Sequence, residues 1–131
     1  MITLNTNVLV RYIMQDDVKQ SPKATKLIDS LIGAGHGYIT LVSVIELVWV
    51  LSSCYDLTRD QVAQALDAVL RTKQFVVEQA DQAIRALRTF KATNADYADC
   101  LIERLASHAG CEKTMTFDAG AGRHAGMTLV L

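Results

Sequence analysis

Cysteine is scarce and badly placed for cross-linking. Cys54, Cys100 and Cys111 make an odd number, and no C-x-x-C pair occurs. That argues against a disulfide framework and for a reducing compartment, so a cytoplasmic protein is expected. Charge of one sign is equally lacking. The formal net charge is −1, so there is no global basic field to hold nucleic acid, and such a partner would need a local patch or a metal site. Long hydrophobic runs are absent too. The longest uncharged stretch, residues 30–45, is broken by Gly33, Gly35, His36 and Gly37 and is too short to span a bilayer. The first residues lack the basic region of a secretory signal. The glycine-rich DAGAGRHAG at 118–126 has no G-K-[ST], which excludes a P-loop and leaves a flexible loop as the expectation. No G-x-S-x-G occurs. His36, His108 and His124 are scattered, and His108-x-x-Cys111 lacks the two further ligands of a structural zinc. Aromatic residues make up 6%, and with so few, Trp49, Phe75 and Phe90 are assigned to the core rather than to base stacking.

What is present is apolar sequence in short, alternating blocks. Half of the 131 residues are hydrophobic and the mean hydropathy is +0.18, so a real core is expected. Residues 1–4 read as a strand and 8–14 as a helix. A second helix spans 21–35, with Ser21 as its cap, Pro22 in its first turn and Gly33 or Gly35 at its end. Strands are expected at 38–42, 75–77, 113–117 and 128–131, and helices at 43–55, 58–72, 81–90 and 95–110. Thr58 and Gln61 have capping-box spacing. Strands that alternate with helices argue for a mostly parallel sheet covered on both faces. No repeat, low-complexity segment or linker divides the chain, so a single domain over 1–131 is expected. In such sheets ligands bind beyond the carboxyl ends of the strands.

Those ends are where the chemistry-bearing residues collect. Asn5 follows the first strand in the triplet Asn5-Thr6-Asn7, and Asp118 follows Thr116 and Phe117 after another. Glu46 stands alone in the apolar run LVSVIELVWVL, and Asp96 and Asp99 lie three apart on one helix face. Each has a purely local reading. Ser43 and Glu46 have capping-box spacing, Asp96 can cap its helix with Asp99 favoured by the helix dipole, and Asp118 can make an Asx-turn. The set has a collective one. Charges are seldom placed in apolar segments unless paired or bound to a cation, and clustered carboxylates repel. Oxygen ligands with open positions suit Mg²⁺ or Mn²⁺, which can acidify a bound water and stabilise charge on a phosphate. Arg11, Lys19, Lys23, Lys26, Arg85, Arg88 and Lys91 are expected to be mostly solvated, with some near the site able to hold phosphates.

ITLNTNVLVRYI resembles the opening hydrophobic-x-hydrophobic-Asp-Thr-Asn of PIN domains, above all the VapC-type toxins of bacterial toxin–antitoxin pairs. SVIELVWVL is similar to their glutamate helix, ADYADCLIERLASHAG to their D-[FY]-A-D-A-L-I helix, and MTFDAGAG to their T-F-D strand end. The four motifs occur in the family's order across the whole chain. The resemblance implies a three-layer α/β/α fold with a mostly parallel central sheet. It implies an Mg²⁺- or Mn²⁺-dependent endoribonuclease acting on structured RNA such as tRNA. It also implies a homodimer and neutralisation by a VapB-type antitoxin. Carried over by position, the catalytic and metal-binding residues would be Asn5, Glu46, Asp99 and Asp118, supported by Asn7, Asp96 and Thr116.

Asn5 departs from the pattern, because the family has aspartate there. The amide keeps one carbonyl oxygen, loses a unit of negative charge and brings an N–H₂ toward the cation. A unit charge pair at 4 Å is worth about 4 kcal/mol at an effective dielectric of 20. An engineered replacement and a natural loss of the acid both account for such a residue. A catalytically inactive module that binds antitoxin or RNA is one alternative function. A PIN nuclease of RNA processing or DNA repair is another.

Overall fold

The computed structural model describes residues 1–131, apart from the side chain of Ala34. Backbone contacts cluster in two compact units, Met1–Ala80 and Asp81–Leu131.

The first unit holds β1 (Ile2–Thr3), α1 (Thr6–Met14), α2 (Gln20–Ala34), β2 (Gly37–Ile39), α3 (Leu41–Ser53), α4 (Arg59–Arg71) and β3 (Phe75–Val77). The strands pair in the order β1-β2-β3, all parallel, with Thr3 opposite Tyr38 and Ile39 opposite Val77. Parallel neighbours need long crossovers, and α1–α2 and α3–α4 supply them. The helices show why they form. Val44, Leu47 and Leu51 recur on one face of α3 and are fully buried. Val62, Leu66 and Val69 do the same on α4, and Thr58 and Gln61 close the expected capping box.

The second unit holds α5 (Ala80–Ala92), α6 (Tyr97–His108), β4 (Met115–Thr116), α7 (Ala119–His124) and β5 (Thr128–Leu129), with β4 parallel to β5. Ala83, Ala86, Leu87 and Phe90 of α5 and Tyr97, Cys100 and Leu101 of α6 are buried. The Phe90 and Tyr97 rings meet edge to face at 5.9 Å, and the Tyr97 hydroxyl donates to the Ala83 carbonyl at 3.0 Å. Burial pushes the Tyr97 phenol above its ordinary range.

In three places a strand runs into a helix through a capping residue rather than a glycine turn. Asn5, Thr40 and Asp118 are the N-caps of α1, α3 and α7, each with extended backbone and a side-chain oxygen on an early helical N–H. The polar triplet after β1 is therefore a helix start. Four expectations need correction for related reasons. The second strand ends at Ile39, because Thr40 begins α3 earlier than the apolar run suggests. Thr40 accepts from the Ser43 N–H, so Ser43 and Glu46 form no capping box. Ser21 does not cap α2. The Asp17 carboxylate accepts from the N–H groups of Lys19 and Gln20 at 2.9 and 2.7 Å, and those bonds hold its carboxyl below the usual range. DAGAGRHAG is not a loop: with Asp118 as cap it forms α7, where Ala121 is buried. Trp49 also leaves its assigned place in the core and is 62% exposed, whereas Phe75 and Phe90 are buried as expected.

The glycine at position 37 fixes the approach of α2 to the sheet. A Cβ there would lie 2.5 Å from Leu4 Cδ1 and 3.1 Å from Leu31 Cδ1. Leu4 is 1% exposed and cannot step aside into solvent. Gly37→Ala should therefore destabilise the fold by about 1–3 kcal/mol, the usual result of overpacking. Urea unfolding checks this, and an unchanged midpoint would mean that Leu4 repacks freely.

Candidate functional site

In the first unit the site residues are tied together through Thr6. Asn5 Oδ1 accepts from the Thr6 N–H at 2.7 Å, and the buried Thr6 hydroxyl donates to Glu46 Oε1 at 2.7 Å. Glu46 reaches Thr6 because α3 starts at Leu41, one turn and a half before it. One oxygen of each side chain is thus committed to holding the pair in place. A carboxylate has about four lone-pair sites, so Glu46 keeps capacity for a further ligand. Asn5 does not keep the same capacity. With its carbonyl oxygen on Thr6, its remaining branch is the N–H₂, a donor where an aspartate would present a second oxygen. Asn7 sits exposed in the first turn of α1.

These residues lie along an open groove of about 750 Å³ whose lining includes Asn5, Asn7, Val10, Glu46, Trp49 and Tyr55. Arg11 also borders it and is held by three partners. Its Nε donates to Gln20 Oε1 at 2.8 Å, and its Nη1 lies 3.3 Å from Asp16 Oδ1 and 3.2 Å from the Tyr55 hydroxyl. Tyr55 in turn donates to Asp16 at 2.8 Å. That hydroxyl is the main cause that holds the Asp16 carboxyl below its ordinary range. Arg11 thus keeps a side chain 32% exposed while its neighbours hold it beside the groove. Nothing in the local sequence pairs Arg11 with a tyrosine 44 residues away.

In the second unit the acids form a second cluster. Asp96 caps α6, its Oδ2 accepting from the Asp99 N–H at 3.2 Å. Thr116 Oγ1 accepts from the Asp118 N–H at 3.0 Å, and Asp118 Oδ1 accepts from the Gly120 N–H at 3.1 Å. The local capping readings of Asp96 and Asp118 therefore hold. Asp99 also feels the charge of both neighbours. Asp99 is pushed above its ordinary carboxyl range by burial first, then by the negative charges of Asp96 and Asp118. Capping and clustering coexist in the same side chains.

Among the described residues no group of three or more histidine, cysteine, aspartate or glutamate side chains could hold a metal ion. The acids of the second unit present oxygen donors, the ligand type that suits a hard divalent cation. No helix among the described residues is long and apolar enough to cross a membrane.

The family model for the PIN domain matches residues 2–127. No curated protein sequence matches the chain.

Proposed function

The chain belongs to the PIN domain family, and from that premise we propose that it is a divalent-metal-dependent endoribonuclease of the VapC toxin type, weakened by Asn5. PIN domains are generally nucleases and typically bind divalent metal. Seven helices among the described residues, with strands paired only in parallel, agree with the family's three-layer α/β/α class. What supports the finer reading is the placement of acids at strand ends and helix starts: Asp96 and Asp99 open α6, and Asp118 follows β4 and caps α7. Burial and the charges of Asp96 and Asp118 both push the Asp99 carboxyl upward, as suits a group that holds a cation.

By the family resemblance the residues that would hold Mg²⁺ or Mn²⁺ are residue 5, Glu46, Asp99 and Asp118, and the ion would supply an acidified water and charge stabilisation at the scissile phosphate. The protein's own groups do the rest. Thr6 fixes Glu46 by one oxygen, leaving the other to accept the proton of the attacking water. Asp96 and Thr116 fix the backbone N–H groups of Asp99 and Asp118, and so the start of α6 and the end of β4. Asn5 keeps the cap on α1 and withholds the fourth charge. That last point also favours a second reading, a module that binds RNA or antitoxin without cutting.

The toxin reading further calls for a cytoplasmic homodimer and a VapB-type antitoxin. The exposed stripe of α3, with Val42 and Trp49 at 68% and 62% exposure, gives a helical partner an apolar surface on the early helices. Co-expressed with the small protein of the adjacent reading frame, the chain should co-elute with it on size exclusion at micromolar concentration. Separate elution would remove the toxin–antitoxin part of the reading.

A further inference from the structure

Helix α5 divides its residues by face. Gln82, Ala83, Ala86, Leu87 and Phe90 are buried, while Arg85, Arg88 and Lys91 stand exposed on the other side at three-residue spacing. The three cations span about 9 Å of the helix axis. Elsewhere in the chain Arg11, Arg71 and Arg104 each have an acid within ion-pair distance. Arg85, Arg88 and Lys91 have none among the described residues, and Asp81, the only acid of α5, lies a turn before Arg85 without pairing to it. The helix dipole favours a cation in the last turn, which accounts for Lys91 alone. Polar grooves lie at both ends of the row. One of about 430 Å³ takes in Arg85, Ser107 and His108. The other, of about 360 Å³, is lined by Lys91, Thr93, Asn94 and His124. That second groove adjoins the acids of its own unit. Asn94 precedes the α6 cap Asp96 by two residues, and His124 and Asp118 stand at the two ends of α7, about 9 Å apart along its axis.

A row of cations that ends at a group of acids has a physical use. Carboxylates repel a polyanion, and a net charge of −1 gives the chain no global attraction for one. A phosphodiester strand needs a local row of cations to reach those acids. Guanidinium and ammonium groups, with the hydroxyl and amide of Thr93 and Asn94 beyond them, suit phosphate oxygens and read no base. We propose that Arg85, Arg88 and Lys91 are a rail for successive phosphates of the RNA backbone, which leads the strand to Asp96, Asp99 and Asp118. These are substrate-positioning residues, and their role in delivery rests on the ribonuclease reading above. The rail should raise affinity without selecting sequence.

Salt dependence tests the rail. The protein as it stands, with Asn5, is titrated in EDTA with a short fluorescein-labelled single-stranded oligoribonucleotide at several salt concentrations. A variant with Arg85→Gln, Arg88→Gln and Lys91→Gln removes the charges and keeps good helix formers in place, so its thermal midpoint should equal the parent's. Its plot of log affinity against log salt should be shallower by about 2, as expected for losing three phosphate contacts at about 0.7 each. Its affinity near 0.1 M salt should be about 10- to 100-fold lower, and equally so for oligomers of different sequence. Arg85→Lys with Arg88→Lys should keep the parent's slope. An unchanged slope in the glutamine variant overturns the inference. So does polyglutamate that competes as well as RNA of equal charge, which would give the row to an acidic protein chain. Cleavage by Asn5→Asp keeps the two readings apart. If that protein cuts RNA equally well across the salt range with the three glutamines in place, the rail fails while the nuclease stands. If it cuts no RNA, and binding by the Asn5 protein still depends on the three cations, the nuclease reading falls and the rail stands in an RNA-binding module.

Discussion

Asn5→Asp should raise RNA cleavage by at least about 10²-fold, which corresponds to roughly 2.7 kcal/mol of barrier. The reason lies in how residue 5 is used. Its Oδ1 caps α1 through the Thr6 N–H, and aspartate caps as well as asparagine does. The substitution therefore changes the other branch alone, from an N–H₂ donor to an oxygen with negative charge. Thr6 still bridges to Glu46, so the acceptor for the water's proton stays in place. Folding stability should move by no more than about 0.5 kcal/mol, as for a surface change that spares the cap. Cleavage should need Mg²⁺ or Mn²⁺ and stop in EDTA, and expression without antitoxin should slow growth. A purified Asn5→Asp protein that is stable and cuts no RNA would leave the binding-module reading in its place.

The second large effect is at Asp99. Placed in the Asn5→Asp protein, Asp99→Asn should return cleavage to the level of the Asn5 chain, again a change of at least about 10²-fold. Its effect on stability should have the opposite sense. The folded-state pKa of Asp99 is raised, chiefly by burial and then by Asp96 and Asp118. A raised carboxyl pKa means that the folded state holds the proton more tightly than the unfolded one. The ionised group therefore destabilises the fold above its folded pKa, and the penalty disappears as pH falls through that pKa toward the ordinary range of a free carboxyl. Without added metal, Asp99→Asn should accordingly melt higher than its parent at neutral pH, and the gap should close in acid. A variant that loses activity and stability together at pH 7 would mark Asp99 as structural, not as a ligand held against repulsion.

Much of this was legible in the chain, and what was not has identifiable causes. Long amphipathic segments such as α4, with its Thr58 and Gln61 box, declare themselves because pattern and cap agree. The strands were found but overdrawn. Thr40 and Leu41 continue an apolar, β-branched run, and only the cap geometry of Thr40 shows that the helix has begun. That one shift turns Glu46 from a capping residue into a side chain bonded to Thr6, forty residues away. DAGAGRHAG misleads because its glycines lower helix propensity, while the Asp118 cap and the burial of Ala121 hold α7. Trp49 was misread on composition, since a lone aromatic in an apolar helix is most often core. The Arg11, Asp16 and Tyr55 network has no sequence signal, because its members meet only through the fold.

The central claim is that Asp99 and Asp118, at the start of α6 and the end of β4, hold a divalent cation. Titration of isotopically labelled Asn5→Asp protein with Mn²⁺, followed by the paramagnetic broadening of backbone amides, tests this most directly. The amides of residues 99 and 118 should broaden together, with one midpoint, and recover together when excess Mg²⁺ displaces the Mn²⁺. Amides of residues 99 and 118 that stay sharp at saturating Mn²⁺ would contradict it.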